Sequence, residues 1–332
     1  MADGEDRGIW SIADLVTPMA VRAAATLRVA DHLADGVRTA RELATVTGAD
    51  AGVLERVLRH LVTVEVFSRD AQGRYGLLPR GEELRDGHPS GVRRRLDAET
   101  ALGRGDLAFV ALLHSVRTGE AAYPRHYGRS FWEDLRADPK RTAGYDAEMG
   151  VDVAAWAEAV VPAFDWGTLG RIVDVGGGNG TLLAALLTAY PGMRGTVFDQ
   201  PETVRAARAT LAAAGLADRG DAVAGDFFGA LPAGADGYVL SAILHDWDDD
   251  AARTILRRCA EAAGTHGRVL VVEWVGADGE SVHTGMDLRM LVYFGARERG
   301  VAELTELAAG AGLRVAGVHQ AGDLAVVEMV AA

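Results

Sequence analysis

The sequence is short of the residues that would tie it to several classes of partner. Of its 34 basic residues one alone is lysine, Lys140, and 47 acidic residues leave a formal charge of −13. No basic stripe offers itself to a phosphate backbone, so nucleic acid is not an expected partner. A single cysteine, Cys259, excludes an internal disulfide, and its place in an apolar helical pattern with Ile255 and Leu256 makes it a small core residue suited to a reducing interior. No uninterrupted apolar run approaches the roughly 18 residues of a membrane span, and the first residues are acidic (Asp3, Glu5, Asp6) rather than basic. The expectation is a soluble, cytoplasmic chain with no membrane partner. What is present is ample: 332 residues, 49% of them hydrophobic, exceed one ordinary domain and suggest two.

From Ile12 to Leu33 apolar residues recur at helical spacing, with Pro18 placed to start or kink a helix expected to be buried on most sides. Thr39-Ala40-Arg41-Glu42 is a capping-box pattern, and Asp50 is placed to cap a helix with Val53, Leu54, Val57, Leu58, Leu61 and Val62 on its apolar face. Residues 66–69 and 74–77, around a turn at 70–73, read as a β-hairpin. Helices followed by a hairpin make a winged-helix pattern over residues 1–90. Arg56 and Arg59 of the would-be recognition helix are offset by Asp50, Glu55 and Glu65, which speaks against DNA. Pairing with a second copy is the better use of so apolar a module. Residues 91–165 read as a helical, aromatic-bearing linker able to roof a pocket.

Over residues 166–332 strands and helices alternate, which predicts a parallel sheet covered on both faces. The strands are expected at 171–175, 195–198, 222–225, 237–240, 268–272, 314–319 and 324–329, the last two as an antiparallel finish. The first runs through Ile172-Val173-Asp174-Val175 into Gly176-Gly177-Gly178-Asn179-Gly180 and then a helix. Glycine lets a ligand approach the backbone, and the helix start offers amides and partial positive charge. A dinucleotide or S-adenosylmethionine (SAM) could use such a loop. The dinucleotide fingerprint G-x-G-x-x-G, started at Gly176, would need its last glycine where Thr181 stands, whereas Asp-x-Gly-x-Gly-x-Gly from Asp174 to Gly180 matches the SAM-binding motif. Asp199 closes the next strand about 20 residues on, where a carboxylate can accept both ribose hydroxyls. Asp226 and Phe227 at the end of the third strand are an acid and an aromatic suited to adenine. His245 follows the fourth strand, at the sheet end where open α/β folds place ligands. Asp248 is placed to cap the following helix, and Asp249 and Asp250 favour its positive end, so no metal site is expected from them.

These residues together resemble the small-molecule O-methyltransferases, typified by the plant caffeate and flavonoid enzymes and their bacterial secondary-metabolite relatives. The carriers are Val173 to Gly178, Phe198-Asp199-Gln200-Pro201, Gly225-Asp226-Phe227-Phe228, His245-Asp246-Trp247-Asp248-Asp249, Glu273, and Gly295-Ala296-Arg297-Glu298-Arg299. Residues 12–22 and 286–291 are most similar to the naphthoate O-methyltransferases of enediyne and azinomycin-type pathways. The resemblance implies a Rossmann-like class I methyltransferase sheet behind an N-terminal, mainly helical winged-helix dimerisation domain, and a homodimer formed through it. It implies that Asp174, Gly176 and Gly178 hold the methionine part of SAM, Asp199 the ribose, and Asp226 with Phe227 the adenine. Ser241 stands where plant members have a lysine on the cofactor, and Gly300 where many have threonine. His245 would be the general base, flanked by Glu273 and Glu298, which orient its ring. The substrate would be a small aromatic molecule beside Asp246, gripped by Trp10, Phe131, Trp132, Met149, Trp156, Met286, Met290, Tyr293 and Phe294. Product S-adenosylhomocysteine and no metal are expected. Relatives of this fold also bind SAM for other chemistry, such as hydroxylation. That outcome, a dinucleotide oxidoreductase and a winged-helix SAM-sensing regulator are the alternatives.

Overall fold

The computed structural model describes residues 8–332, so Asp3, Glu5 and Asp6 lie outside the described residues. The chain divides into two compact units, one ending at Leu107 and one from Ala108 to Ala332. The division between them falls within the stretch 91–165.

In the first unit the apolar stretch 12–33 is not one helix. It is broken into Trp10–Ala13, Val16–Thr26 and Val29–Ala34. Asp14 is extended, and Arg28 takes a left-handed conformation (φ 52°) that ends the helical ladder before Val29. Pro18 sits third in Val16–Thr26, in the first turn, where a missing N–H does no harm. Nor is the segment buried on most sides. Ala24, Ala25, Val29, Ala30 and Leu33 are buried, whereas Trp10, Ile12, Leu15, Val16 and Met19 face outward.

The capping box forms as expected, with the Glu42 N–H donating to the Thr39 hydroxyl and the Glu42 carboxylate accepting from the Thr39 N–H. A cap of this kind contributes about 1 kcal/mol. Asp50 caps Ala51–Thr63, which buries Leu54, Leu58 and Leu61. Strands β1 (Phe67–Arg69) and β2 (Tyr75–Leu77) pair antiparallel as the wing.

The second unit is built on a seven-stranded sheet of β3 (Arg171–Val175), β4 (Arg194–Asp199), β5 (Gly220–Ala224), β6 (Gly237–Ser241), β7 (Arg268–Glu273), β8 (Leu313–Ala321) and β9 (Leu324–Ala331), in the order β5-β4-β3-β6-β7-β9-β8. Strands β3 to β7 are parallel, and β9 and β8 close the edge antiparallel. Alternate residues divide between two cores. Ile172, Leu270 and Val326 pack beneath the helices Pro139–Ala163, Thr181–Ala189 and Pro201–Ala213, while Val173, Val271 and Val327 pack beneath Asp249–Ala263 and Val301–Gly310. Cys259 lies fully buried in the second core, as its apolar helix pattern predicts.

Because β4 leaves β3 on one side and β6 flanks it on the other, the strand order reverses at the carboxyl end of β3 and opens a crevice there. The glycine loop lies in that crevice. Gly176 has φ 72°, and a Cβ there would run into the Ile243 side chain, so only glycine fits. Helix Pro139–Ala163 closes on the same loop: a Cβ at Gly150 would collide with the Asn179 carboxamide.

Candidate active site

Asp199 emerges from β4 and accepts the Gly178 N–H at 2.8 Å on one oxygen and the Gln200 N–H at 2.6 Å on the other. It therefore ties the glycine loop to the second strand while its carboxylate faces the crevice. Asp174, behind the loop, is buried and accepts no hydrogen bond on either oxygen from the described residues. Burial, and then the neighbouring Asp199, push it up to about 7. The Ser241 hydroxyl at the end of β6 is buried and equally without a partner. Unpaired buried acceptors beside a glycine cradle fit a ligand that brings its own ammonium or sulfonium charge. Asp226 is exposed and accepts the Phe228 N–H, and Phe227 packs edge-on against Trp247. Asp146, on the helix that closes the loop, was not anticipated. Burial and then Asp199 raise it to about 6, which puts a further carboxyl group close to Asp199.

His245 sits on a short 3-10 turn, Leu244–Asp246, just past β6. Its Nδ1 lies 2.7 Å from Oε2 of Glu273, the last residue of β7, and the other Glu273 oxygen accepts the Leu244 N–H at 2.9 Å. A carboxylate only accepts, so Nδ1 carries the ring proton and donates it. Glu298 lies on the same side, its Oε1 3.8 Å from Nδ1 and both oxygens without a hydrogen-bond partner among the described residues, while Oδ1 of Asp246 stands 3.5 Å from Nε2. The direct hydrogen bond to the ring is therefore Glu273's, and Glu298 acts on it through charge. Burial disfavours a charged imidazole, yet Glu273, Asp246 and Glu298 outweigh it and lift His245 to about 10. Burial pushes Asp246 and Glu298 up to about 7, against the opposing pull of His245 in each case. His245, Glu273 and Glu298 also bring one ligand atom each within 4.8 Å of one another, a spacing compatible with a cation, but Nδ1 is already committed to Glu273.

Around this centre the second unit gathers aromatic surface. Trp132 stacks on Phe294 (centroids 5.0 Å apart) and on Trp247 (6.2 Å), and Phe131 stacks on Tyr293 (5.6 Å). Trp156 meets Trp274 edge-on at 4.9 Å, and Trp274 lies 5.4 Å from the His245 ring. Met149 and Met286 are half-buried and Met290 buried. Trp10 belongs to the first unit, where it is 63% exposed. Trp247 and Trp274 were missed, although one follows the end of β6 by six residues and the other directly follows β7, at the sheet end where this fold places its ligands.

An O-methyltransferase domain model matches residues 109–314, and an O-methyltransferase dimerisation domain model matches residues 10–84. The chain belongs to the O-methyltransferase family. It is 56% identical, over 98% of its length and 97% of the relative's, to 2,7-dihydroxy-5-methyl-1-naphthoate 7-O-methyltransferase of Streptomyces carzinostaticus. It is 43% identical, over 94% of its length and 85% of the relative's, to an aclacinomycin 10-hydroxylase of Streptomyces purpurascens. Among solved structures it matches an O-methyltransferase from neocarzinostatin biosynthesis in complex with SAM and 2-hydroxy-5-methyl naphthoic acid, at TM-score 0.92 and 55% identity, covering 100% of both chains. The expected fold, a winged-helix dimerisation domain followed by a class I methyltransferase sheet, is what this O-methyltransferase has.

Proposed function

We propose that this O-methyltransferase methylates a phenolic hydroxyl of a hydroxynaphthoate-like secondary metabolite, with SAM as donor, S-adenosylhomocysteine as product and His245 as general base. The observation that carries the reading is the 2.7 Å Glu273–His245 hydrogen bond, which pins the proton on Nδ1 and leaves Nε2 to receive one. Bound SAM supplies an electrophilic methyl on a positively charged sulfur, and that charge favours phenolate over phenol beside it. An ordinary imidazole, at about 6.5, would take a proton from a phenol near 10 only with an uphill cost of about 4.8 kcal/mol. The carboxylates around His245 lift it to about 10, which narrows that deficit for the ring in its neutral form; below that value the ring is mostly imidazolium, so turnover should climb with pH as Nε2 is freed. An aliphatic alcohol, a far weaker acid, gains no such match.

Asp174, Gly176, Gly178 and Ser241 would hold the methionine part of SAM, Asp199 the ribose, and Asp226 and Phe227 the adenine. The stacked Trp132 and Phe294, with Phe131, Met149, Trp156, Met286, Met290 and Tyr293, would supply flat, adaptable contacts to the acceptor ring, and Asp246 a polar contact beside Nε2. The outward-facing apolar residues of the first unit would be covered by a second copy. The reduced, buried Cys259 supports a cytoplasmic setting.

Mass spectrometry of products from hydroxylated naphthoates, benzoates and quinones supplied with SAM tests this. A naphthoate gaining one methyl is expected. Gain of an oxygen instead, with no methylated product from any acceptor, would replace methyl transfer by hydroxylation.

A further inference from the structure

Arg299 plays no part in the proton path above, yet it is 2% exposed, an unusual place for a guanidinium. Its hydrogen bonds explain the burial. Nη1 donates to the Leu244 carbonyl at 2.7 Å, Nη2 to the Trp247 carbonyl at 2.7 Å, and Nε and Nη2 both reach Oδ1 of Asp249, at 3.1 and 2.8 Å. Leu244 and Trp247 bracket His245 and Asp246, so the guanidinium grips the histidine turn at both its ends. Glu273 holds the Leu244 N–H from the opposite side. The backbone of Arg299 also directly follows Glu298, so the same grip fixes the segment that brings Glu298 to 3.8 Å from Nδ1.

We propose that Arg299 is a positioning residue for the general base: it clamps the turn carrying His245 to the segment carrying Glu298 and so sets where Nε2 points. The proposal rests on His245 being the base. A planar fork of five donors can serve two carbonyls and a carboxylate at once, which the compact ammonium of lysine cannot. Without the fork, two carbonyls of the turn lose their partners and the imidazole loses its fixed aim. A displacement near 1 Å at a reacting group can cost on the order of 100-fold in rate.

The test uses Arg299→Gln, Arg299→Lys and Asp249→Ala, each alone and combined with His245→Ala, with SAM and 2,7-dihydroxy-5-methyl-1-naphthoate as the acceptor. S-adenosylhomocysteine affinity by calorimetry should stay near wild type, while kcat falls about 10- to 100-fold in Arg299→Gln. Lysine should not rescue it. The deficit should shrink at high pH, where phenolate forms without help, and should vanish in the His245→Ala background because both changes disable one device. Asp249→Ala, which removes a half-exposed anchor of the fork, should give a smaller loss of the same pH signature and keeps the test alive if the arginine variants fold poorly. Losses that multiply with that of His245→Ala, rescue by lysine, or wild-type kcat in Asp249→Ala would each overturn the clamp. Full turnover in His245→Ala alone would instead remove the base assignment together with the proposal.

Discussion

Glu273 holds the ring of His245 and the backbone just before it at once, one carboxylate oxygen 2.7 Å from Nδ1 and the other 2.9 Å from the Leu244 nitrogen. One side chain thereby fixes both the Nδ1 proton and the position of the turn, and under the proposed function Nε2 would be the nitrogen that meets an acceptor hydroxyl.

The first expectation concerns the base. His245→Ala should keep its affinity for S-adenosylhomocysteine and lose about 10²–10⁴ in turnover at neutral pH, since alignment of the reactants survives without the base. Turnover should recover in part at high pH. Steady-state rates across the pH range check this, and a variant as fast as wild type throughout would eliminate His245 as the base.

Glu298 makes a pH prediction with a definite sign. Its folded value, about 7, lies above the ordinary 4.5, so folding favours the proton. The stability this group contributes is fully present below its unfolded value and is lost as pH rises through its folded value. Glu298→Gln should therefore raise Tm above pH 7 and change it little near pH 4. Removing a negative charge from beside Nδ1 should also lower the His245 value and move the rising limb of kcat/KM to lower pH. An unmoved limb and an unchanged Tm difference across that range would show that Glu298 exerts no charge on the ring.

The cofactor assignment is tested at Asp199→Ala. A hydrogen bond to a charged acceptor contributes about 1.5–3 kcal/mol, so S-adenosylhomocysteine affinity should fall roughly 10- to 100-fold by calorimetry. Part of that loss would come from the loop, because the Gly178 N–H loses its acceptor too. Unchanged affinity would place the ribose elsewhere.

Apolar exposure on the first unit predicts a dimer, with an interface often above about 2,000 Å² if obligate. Leu15 and Met19, one helical turn apart and both outward-facing, are suitable targets. Light scattering should give a dimer for the natural sequence and a monomer for the Leu15→Asp, Met19→Asp variant. A monomeric natural protein at micromolar concentration would refute the pairing.

Much of this was legible in the sequence because it is local. Thr39 and Glu42, three residues apart, announce their own capping box, and Asp174 to Gly180 carries strand, turn and helix start in one run. His245 was readable because a strand end precedes it. What escaped notice depends on distant residues. Nothing in the apolar period around Arg28 signals its left-handed backbone, and the helix predicted across it breaks there. Arg299 looks like any surface cation until Leu244 and Trp247, more than fifty positions earlier in the chain, present their carbonyls to it. That Glu273 and Glu298 flank His245 was implied by the family resemblance, whereas which of them hydrogen-bonds Nδ1 depends on how three separate segments converge.

The fit of Gly150 against Asn179 has an engineering consequence. The helix that holds Met149 and Trp156 packs on the glycine loop too closely at Gly150 to admit even a Cβ, so under the proposed function the acceptor wall and the donor cradle would be expected to shift together. Libraries that seek new acceptors by altering residues 145–156 should cost donor affinity more often than libraries confined to Met286, Met290 and Phe294, which sit on a separate helix, Thr284–Phe294.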